Sequence, residues 1–189
     1  MSKLNKVVII VSKIAEVFCW IACAFMIAMI AVTAAGRPNL LDYLSDVRDS
    51  SVLSNGGFEL VLGDMAPGQT GSAHILFFIT VLITSALMAM IFRNVYLSFK
   101  TAEGKTKFSK GRTPFQPSIV GMIRKIGILS IAIPVVEIIM TIIARIVLGD
   151  AGIESSLNMN GILIGIVVLC LSQFFAYGTQ LQEDNDGLV

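Results

Sequence analysis

The sequence contains little charge for its length. Only 14% of its 189 residues are Asp, Glu, Lys or Arg, whereas an ordinary soluble domain carries roughly 25% charged residues. Apolar residues make up 55% of the chain, and the mean hydropathy is +0.81. Because so few charged side chains cannot cover a surface that faces water, the composition argues against a soluble globular enzyme and indicates a membrane protein.

Cysteine and histidine are scarce as well. Cys19, Cys23 and Cys170 all lie inside apolar runs, and no pair has the two-residue separation of a redox or metal motif. The single histidine, His74, has no second metal ligand at helical spacing. No Ser-His or paired-carboxylate arrangement takes their place. We therefore expect no metal, no cofactor and no enzymatic activity.

Four apolar runs are long enough to cross a hydrocarbon layer of about 30 Å, which takes roughly 20 helical residues. They cover residues 14–35, 75–97, 126–148 and 159–177. In lipid each must be helical, since an unpaired backbone amide there costs several kcal/mol. The sequence predicts an all-α integral membrane protein, in which residues 1–189 form one four-helix bundle with a small loop subdomain outside the cytoplasm.

Basic residues set the orientation of the four runs. They crowd the N-terminus and the connection 98–125, whereas the connection 36–73 holds Arg37 and Arg48 against five acidic residues. The positive-inside rule then places both termini and the connection 98–125 in the cytoplasm of a bacterial inner membrane. A cleaved signal sequence is the alternative for the first run, but that run exceeds the roughly 7 to 15 apolar residues of a signal core.

The outer connection 36–73 contains two patterns. Leucines and Val47 recur at helical spacing over residues 39–47, which predicts a short amphipathic helix. Val52 and Leu53, an Asn55-Gly56 pair and the apolar segment 58–62 predict a hairpin whose two turn residues both need positive φ. Such a subdomain is either a ligand-sensing cap or a lid that keeps water off the helix ends.

Polar side chains inside the apolar runs are candidates for function. Glu137 lies at the midpoint of the third run, one turn after Pro134, and Thr84 and Ser85 of the second run are expected at a similar depth. Glu137 is then either a proton or cation site, or a protonated residue that donates to a neighbouring hydroxyl and fixes helix register. Arg145 is expected to extend to the interface or to pair with Asp150.

Small residues in the fourth run form a GxxxG motif at Gly161 and Gly165, which lets two helix backbones approach closely. The motif is compatible with a homo-oligomer and equally with packing inside one bundle.

The cytoplasmic segments show two further features. A Lys-, Thr- and Gly-rich stretch at 100–110 predicts a mobile basic loop that contacts anionic membrane lipid. The prolines of residues 113–117 stiffen the chain, and Pro117 is a favourable first residue for a helix over 118–125. The tail 180–189 is acidic and ends in Leu188 and Val189, so it either folds back on the basic loop or serves as a linear docking segment.

The connection and the tail also carry a family resemblance. Thr113-Pro114-Phe115 followed by Val120 and residues 123–127, together with the end at residues 177–186, resemble motifs of the bacterial membrane family catalogued as domain of unknown function 2975. The resemblance implies a small four-helix inner-membrane protein. It further implies a helix-turn-helix transcriptional regulator as the partner on the cytoplasmic face, because members of the family are often encoded beside one.

Two functions follow as hypotheses. The first is a non-enzymatic protein that binds, tethers or inactivates such a regulator, without contacting nucleic acid itself. Its expected contact residues are Thr113, Pro114, Phe115, Arg124, Lys125, Leu181, Glu183, Asp184 and Asp186. The second is a small transporter or ion pathway centred on Glu137, with Pro134 and Arg145.

Overall fold

The computed structural model describes residues 3–35, 52–65, 68–109, 113–156 and 158–186. Over these residues the chain is mostly helical, with four long helices: α1 (Lys3–Ala34), α2 (Thr70–Ala102), α3 (Pro117–Leu148) and α4 (Met159–Asp186). Each helix is long and apolar enough to cross a membrane. These four helices fit the predicted membrane-protein class. The predicted amphipathic helix over 39–47 lies outside the described residues.

All four helices extend beyond the apolar runs that predict them. α1 already begins at Lys3, and α3 begins at Pro117, the residue whose fixed φ suits a first helical position. α3 ends before Gly149, whose φ of +87° is typical of the residue after a helix. The segment after residue 179, predicted to be a tail, is instead helical through Asp186.

The segments that connect the helices contain a three-stranded antiparallel sheet, with strands β1 (Val52–Asn55), β2 (Phe58–Val61) and β3 (Ile153–Ser155) in that order. The predicted hairpin is present as β1 and β2, but its turn is shifted by one residue. Asn55 pairs with Phe58, so the turn residues are Gly56 and Gly57. Of the two only Gly56, at +63°, has positive φ, so the expected requirement at both turn positions is wrong. β3 was not predicted.

Contacts along the chain separate two compact units. The first, here called the basic unit, comprises Met1–Cys19, Leu87–Ala132 and Asn160–Val189. The second, the sheet unit, comprises Trp20–Ala86 and Ile133–Met159 and contains the whole sheet. α1, α2 and α3 contribute to both units, whereas α4 lies in the basic unit apart from its first residue, Met159. Each unit is therefore built from segments that are distant in the sequence.

The sheet unit has its own apolar core. Phe58 and Leu60 alternate with outward residues along β2 and are fully buried. They pack with residues that follow the hairpin, with the start of α2 and with the end of α3; the other members are Leu62, Met65, Ala73, Ala144, Leu148 and Ile153. This burial, at about 1.5–3 kcal/mol for a large apolar side chain, fixes the hairpin against the helices.

Candidate functional site

The hairpin turn lies against the one acidic side chain of the apolar part of α3. The amide N–H of Gly57 donates to Oε2 of Glu137 over 2.9 Å. Glu137 is 4% exposed. A helix rises about 1.5 Å per residue, so the contact lies about 16 Å along α3 from its end at Leu148. The hairpin therefore reaches deep between the helices of the sheet unit rather than only covering their ends.

A second hydrogen bond holds the turn on α2. Nδ2 of Asn55 donates to Oγ1 of Thr84 over 3.0 Å, and the Thr84 hydroxyl in turn lies 3.0 Å from the Thr80 carbonyl. The last residue of β1 and the second turn residue are thereby each hydrogen-bonded to a helix. Non-helical backbone inside a membrane is tolerated only where protein or a water-filled cavity covers it. Gly57, Phe58 and Leu60 are buried by protein in this way.

The expected partners of Glu137 were therefore wrong. Its carboxylate accepts from a backbone amide of the hairpin, whereas Thr84 binds Asn55. Ser85 is half-buried and takes part in neither hydrogen bond. Helical spacing placed Thr84 and Glu137 at a common depth, but periodicity within the helices says nothing about a loop that enters between them.

Glycine is required at both turn positions for different reasons. A Cβ on Gly56 would overlap Oε1 of Glu137, and the residue also has positive φ. A Cβ on Gly57 would overlap the carbonyl oxygen of Ser156, whose own amide donates to the Gly57 carbonyl over 3.0 Å. Gly57, Ser156 and the contact of Asn55 with α2 were not predicted from the sequence. The available signal was the Gly56-Gly57 pair together with a carboxylate at the midpoint of the third apolar run.

The backbone carbonyl of Glu137 also accepts a hydrogen bond. Oγ1 of Thr141 donates to the Glu137 carbonyl over 2.9 Å, and Pro134 is fully buried within α3. α3 is helical across Pro134. Both the carboxylate and the carbonyl of Glu137 thus have partners inside the sheet unit.

Arg145 lies two turns further along α3. Its Nε is 4.0 Å from Oδ1 of Asp150, and the two side chains are 48% and 93% exposed. An ion pair this long and this exposed contributes little to stability. Arg145 also lines a pocket of about 310 Å³ together with Gly57, Ile138, Thr141, Ile142, Ser155 and Ser156.

In the basic unit, the segment Thr113 to Gln116 packs on α4. Oγ1 of Thr113 donates to Oε1 of Gln182 over 2.8 Å. The Phe115 ring lies 5.9 Å from the Phe175 ring, and it fills the space that a Cβ on Gly178 would need. The end of α4 therefore contacts the segment just before α3; neither folding back on the basic loop at 100–110 nor docking of a partner is tested by this contact.

The predicted partner-binding residues differ in whether they contact the rest of the chain. Thr113, Pro114 and Phe115 contact their own chain, with Pro114 lining an apolar groove of about 190 Å³. The remaining described side chains are exposed, with Leu181 at 71% exposure; they are Arg124, Lys125, Leu181, Glu183 and Asp184. The Asp186 side chain lies outside the described part of the structure.

Lysines of two helices meet at Tyr96 of α2. The ammonium groups of Lys13 and Lys100 lie 5.3 Å and 4.9 Å from the ring centroid. Lys13 also pairs with the buried Glu16 at 2.9 Å. Cation–π contacts of this kind hold the start of α1 beside the end of α2.

The GxxxG motif contributes to packing inside the chain. A Cβ on Gly165 would lie 2.9 Å from the carbonyl oxygen of Gly127 on α3, and one on Gly127 would lie 3.0 Å from that of Gly165. The two backbones are therefore in close contact. This favours the intramolecular interpretation of Gly165.

The described residues contain no group of three or more His, Cys, Asp or Glu side chains placed to hold a metal ion. Nδ1 of His74 lies 2.7 Å from the Thr70 carbonyl within α2. No protein-family model, curated protein or solved structure matches the chain. The resemblance to domain of unknown function 2975 therefore stays a prediction.

Proposed function

We propose that this chain is a non-enzymatic, multi-pass protein of the bacterial inner membrane that holds a soluble cytoplasmic partner on its basic unit. The observation that carries the proposal is the contact between Thr113 and Gln182. It joins the stiff connection before α3 to the end of α4. Arg124 and Lys125 follow the connection, and Leu181, Glu183 and Asp184 flank Gln182; all five side chains are exposed.

Charge supports an inward-facing basic unit. In the described part of the sheet unit Arg145 is the single Lys or Arg, against five acidic residues: Glu59, Asp64, Glu137, Asp150 and Glu154. In the described part of the basic unit the Lys and Arg residues are Lys3, Lys6, Lys13, Arg93, Lys100, Lys105, Lys107, Arg124 and Lys125. The positive-inside rule puts a basic unit of this composition, with both chain termini, in the cytoplasm.

Helix length supports a surface that stands clear of the lipid. α3 begins at Pro117, although its apolar run begins at residue 126, and α4 continues to Asp186, although its apolar run ends at 177. Nine residues of helix span about 13 Å, so each end extends well past its apolar part. Such ends offer both charge signs and an exposed Leu181 to a soluble protein.

The partner's class, a helix-turn-helix regulator, comes from the family resemblance alone. Affinity purification in mild detergent, with identification of bound soluble proteins, tests for it without presupposing it. Charge reversal at Arg124 and Lys125, or at Glu183 and Asp184, should remove the partner. The matched control, Glu154→Gln in the sheet unit, should keep it. Equal recovery with all variants, or no soluble protein with the unaltered chain, would reject the proposal.

A transport pathway through Glu137 is the second candidate, favoured by a buried carboxylate in the apolar part of α3. Against it, Oε2 already accepts the Gly57 amide. Proton flux into proteoliposomes decides between the two candidates. Flux above protein-free vesicles that Glu137→Gln abolishes would support transport; flux unchanged by this substitution, or none at all, would eliminate the Glu137 pathway.

A further inference from the structure

The pocket between α3 and β3 has one cationic end and one apolar side. Ile138, Thr141, Ile142 and Arg145 recur at helical spacing and form its α3 wall, and Ser155 and Ser156 form the opposite wall. Ile138 and Ile142 are exposed. Since both isoleucines lie in the apolar part of α3, this side of the pocket opens toward hydrocarbon.

Arg145, at the cationic end of the pocket, has N–H donors beyond the one that faces Asp150. A guanidinium carries five N–H donors in a planar fork that suits phosphate and carboxylate oxygens. In the described part of the chain, the one acidic group within 4.0 Å of Arg145 is Asp150, which it reaches at that limit through Nε alone. Ser155 and Ser156 line the pocket on the side of β3, and a serine hydroxyl directed into it can donate to the same anion.

We propose that this pocket binds a phospholipid, with the headgroup phosphate on Arg145, Ser155 and Ser156 and an acyl chain along Ile142 and Ile138. Arg145 lies one turn before the end of α3, at the depth expected for a headgroup. Ile138 is seven residues further toward the middle of α3, so the isoleucines provide about 10 Å of apolar surface in the direction an acyl chain takes. A free aqueous anion would use the phosphate contacts but not this surface.

The test uses the full chain in nonionic detergent, with phosphatidylglycerol as the probe and native mass spectrometry to count bound lipid. Arg145→Gln should lower phosphatidylglycerol affinity about tenfold or more, since hydrogen bonds to charged groups are among the stronger ones. Ser155→Ala with Ser156→Ala should give a smaller loss. Arg145→Lys should retain part of the affinity, and Arg93→Gln, an exposed arginine in the basic unit, should leave it unchanged.

Two further arms identify the source of the phosphate. Inorganic phosphate in excess should displace little lipid. Ile142→Ser should weaken lipid binding without changing the affinity of the site for inorganic phosphate. Full displacement by inorganic phosphate would overturn the lipid assignment. Equal lipid binding by the unaltered chain and Arg145→Gln would overturn the site itself. Circular dichroism of each variant separates loss of binding from loss of fold.

Discussion

The contact between the hairpin turn and Glu137 can be tested by adding one methyl group at three glycines. Gly56→Ala places a Cβ where Oε1 of Glu137 lies and also forces alanine to a φ of +63°. Gly149→Ala imposes a φ of +87° but meets nothing within 4 Å. Gly63→Ala meets nothing within 4 Å and has no positive φ. The three substitutions separate overlap from backbone strain.

The expected magnitudes follow from these two effects. Left-handed backbone costs an alanine about 1–2 kcal/mol, and overpacking a filled site costs typically about 1–3 kcal/mol. Gly56→Ala should therefore lower the free energy of unfolding by about 2–5 kcal/mol, Gly149→Ala by about 1–2 kcal/mol, and Gly63→Ala by less than about 0.5 kcal/mol. In a Glu137→Ala background the overlap at Gly56 disappears, so the double-mutant cycle should show a coupling of about 1–3 kcal/mol.

Unfolding by sodium dodecyl sulfate in mixed micelles supplies the free energies, and Trp20, the single tryptophan of the chain, is the fluorescent probe within the sheet unit. A cost for Gly56→Ala no larger than that for Gly149→Ala would refute the overlap. Absence of coupling between Gly56 and Glu137 in the cycle would refute it equally, because the turn would then not touch that carboxylate.

Two further predictions concern the basic unit. Gly127→Ala places a Cβ 2.7 Å from Cγ of Leu169 and should lower the free energy of unfolding by about 1–3 kcal/mol. Gly121→Ala on the same helix meets nothing within 4 Å and should be neutral or stabilising. Equal unfolding free energies of the two variants would contradict the close approach of α3 and α4. Thr113→Val removes the hydroxyl that donates to Gln182. It should lower the free energy of unfolding by roughly 0.5–1.5 kcal/mol and speed amide exchange over residues 113–116, whereas Thr113→Ser should keep the slow exchange of the unaltered chain. Unchanged exchange in Thr113→Val would mean that this segment is not held on α4.

Much of the architecture could be predicted because it depends on local patterns. Runs of apolar residues long enough for lipid identify the four helices, and alternation around glycines identifies the hairpin. Helix ends were less predictable, since α3 and α4 continue through polar residues that hydropathy assigns to loops. Pro117 was the exception, because proline marks a helix start by its own geometry.

The candidate site was predicted only in its parts. A carboxylate in an apolar run marks Glu137 as important, but its partner Gly57 is 80 residues away along the chain. Every residue except proline has a backbone N–H, so the residue type at position 57 does not indicate which amide bonds to Glu137, and no spacing rule could predict this pair. β3 escaped prediction for a related reason: three residues, Ile153–Ser155, are too short to show alternation, and they form a strand through pairing with β2.

Binding of a cytoplasmic partner, as proposed above, requires the basic unit to face the cytoplasm. After replacement of Cys19, Cys23 and Cys170, single cysteines can be placed at Lys107 in the basic unit and at Glu154 in the sheet unit, both exposed. A membrane-impermeant thiol reagent should label Glu154→Cys in intact cells and Lys107→Cys only after permeabilisation. Labelling of Lys107→Cys in intact cells, with Glu154→Cys protected, would contradict the inward-facing basic unit and the partner proposed for it.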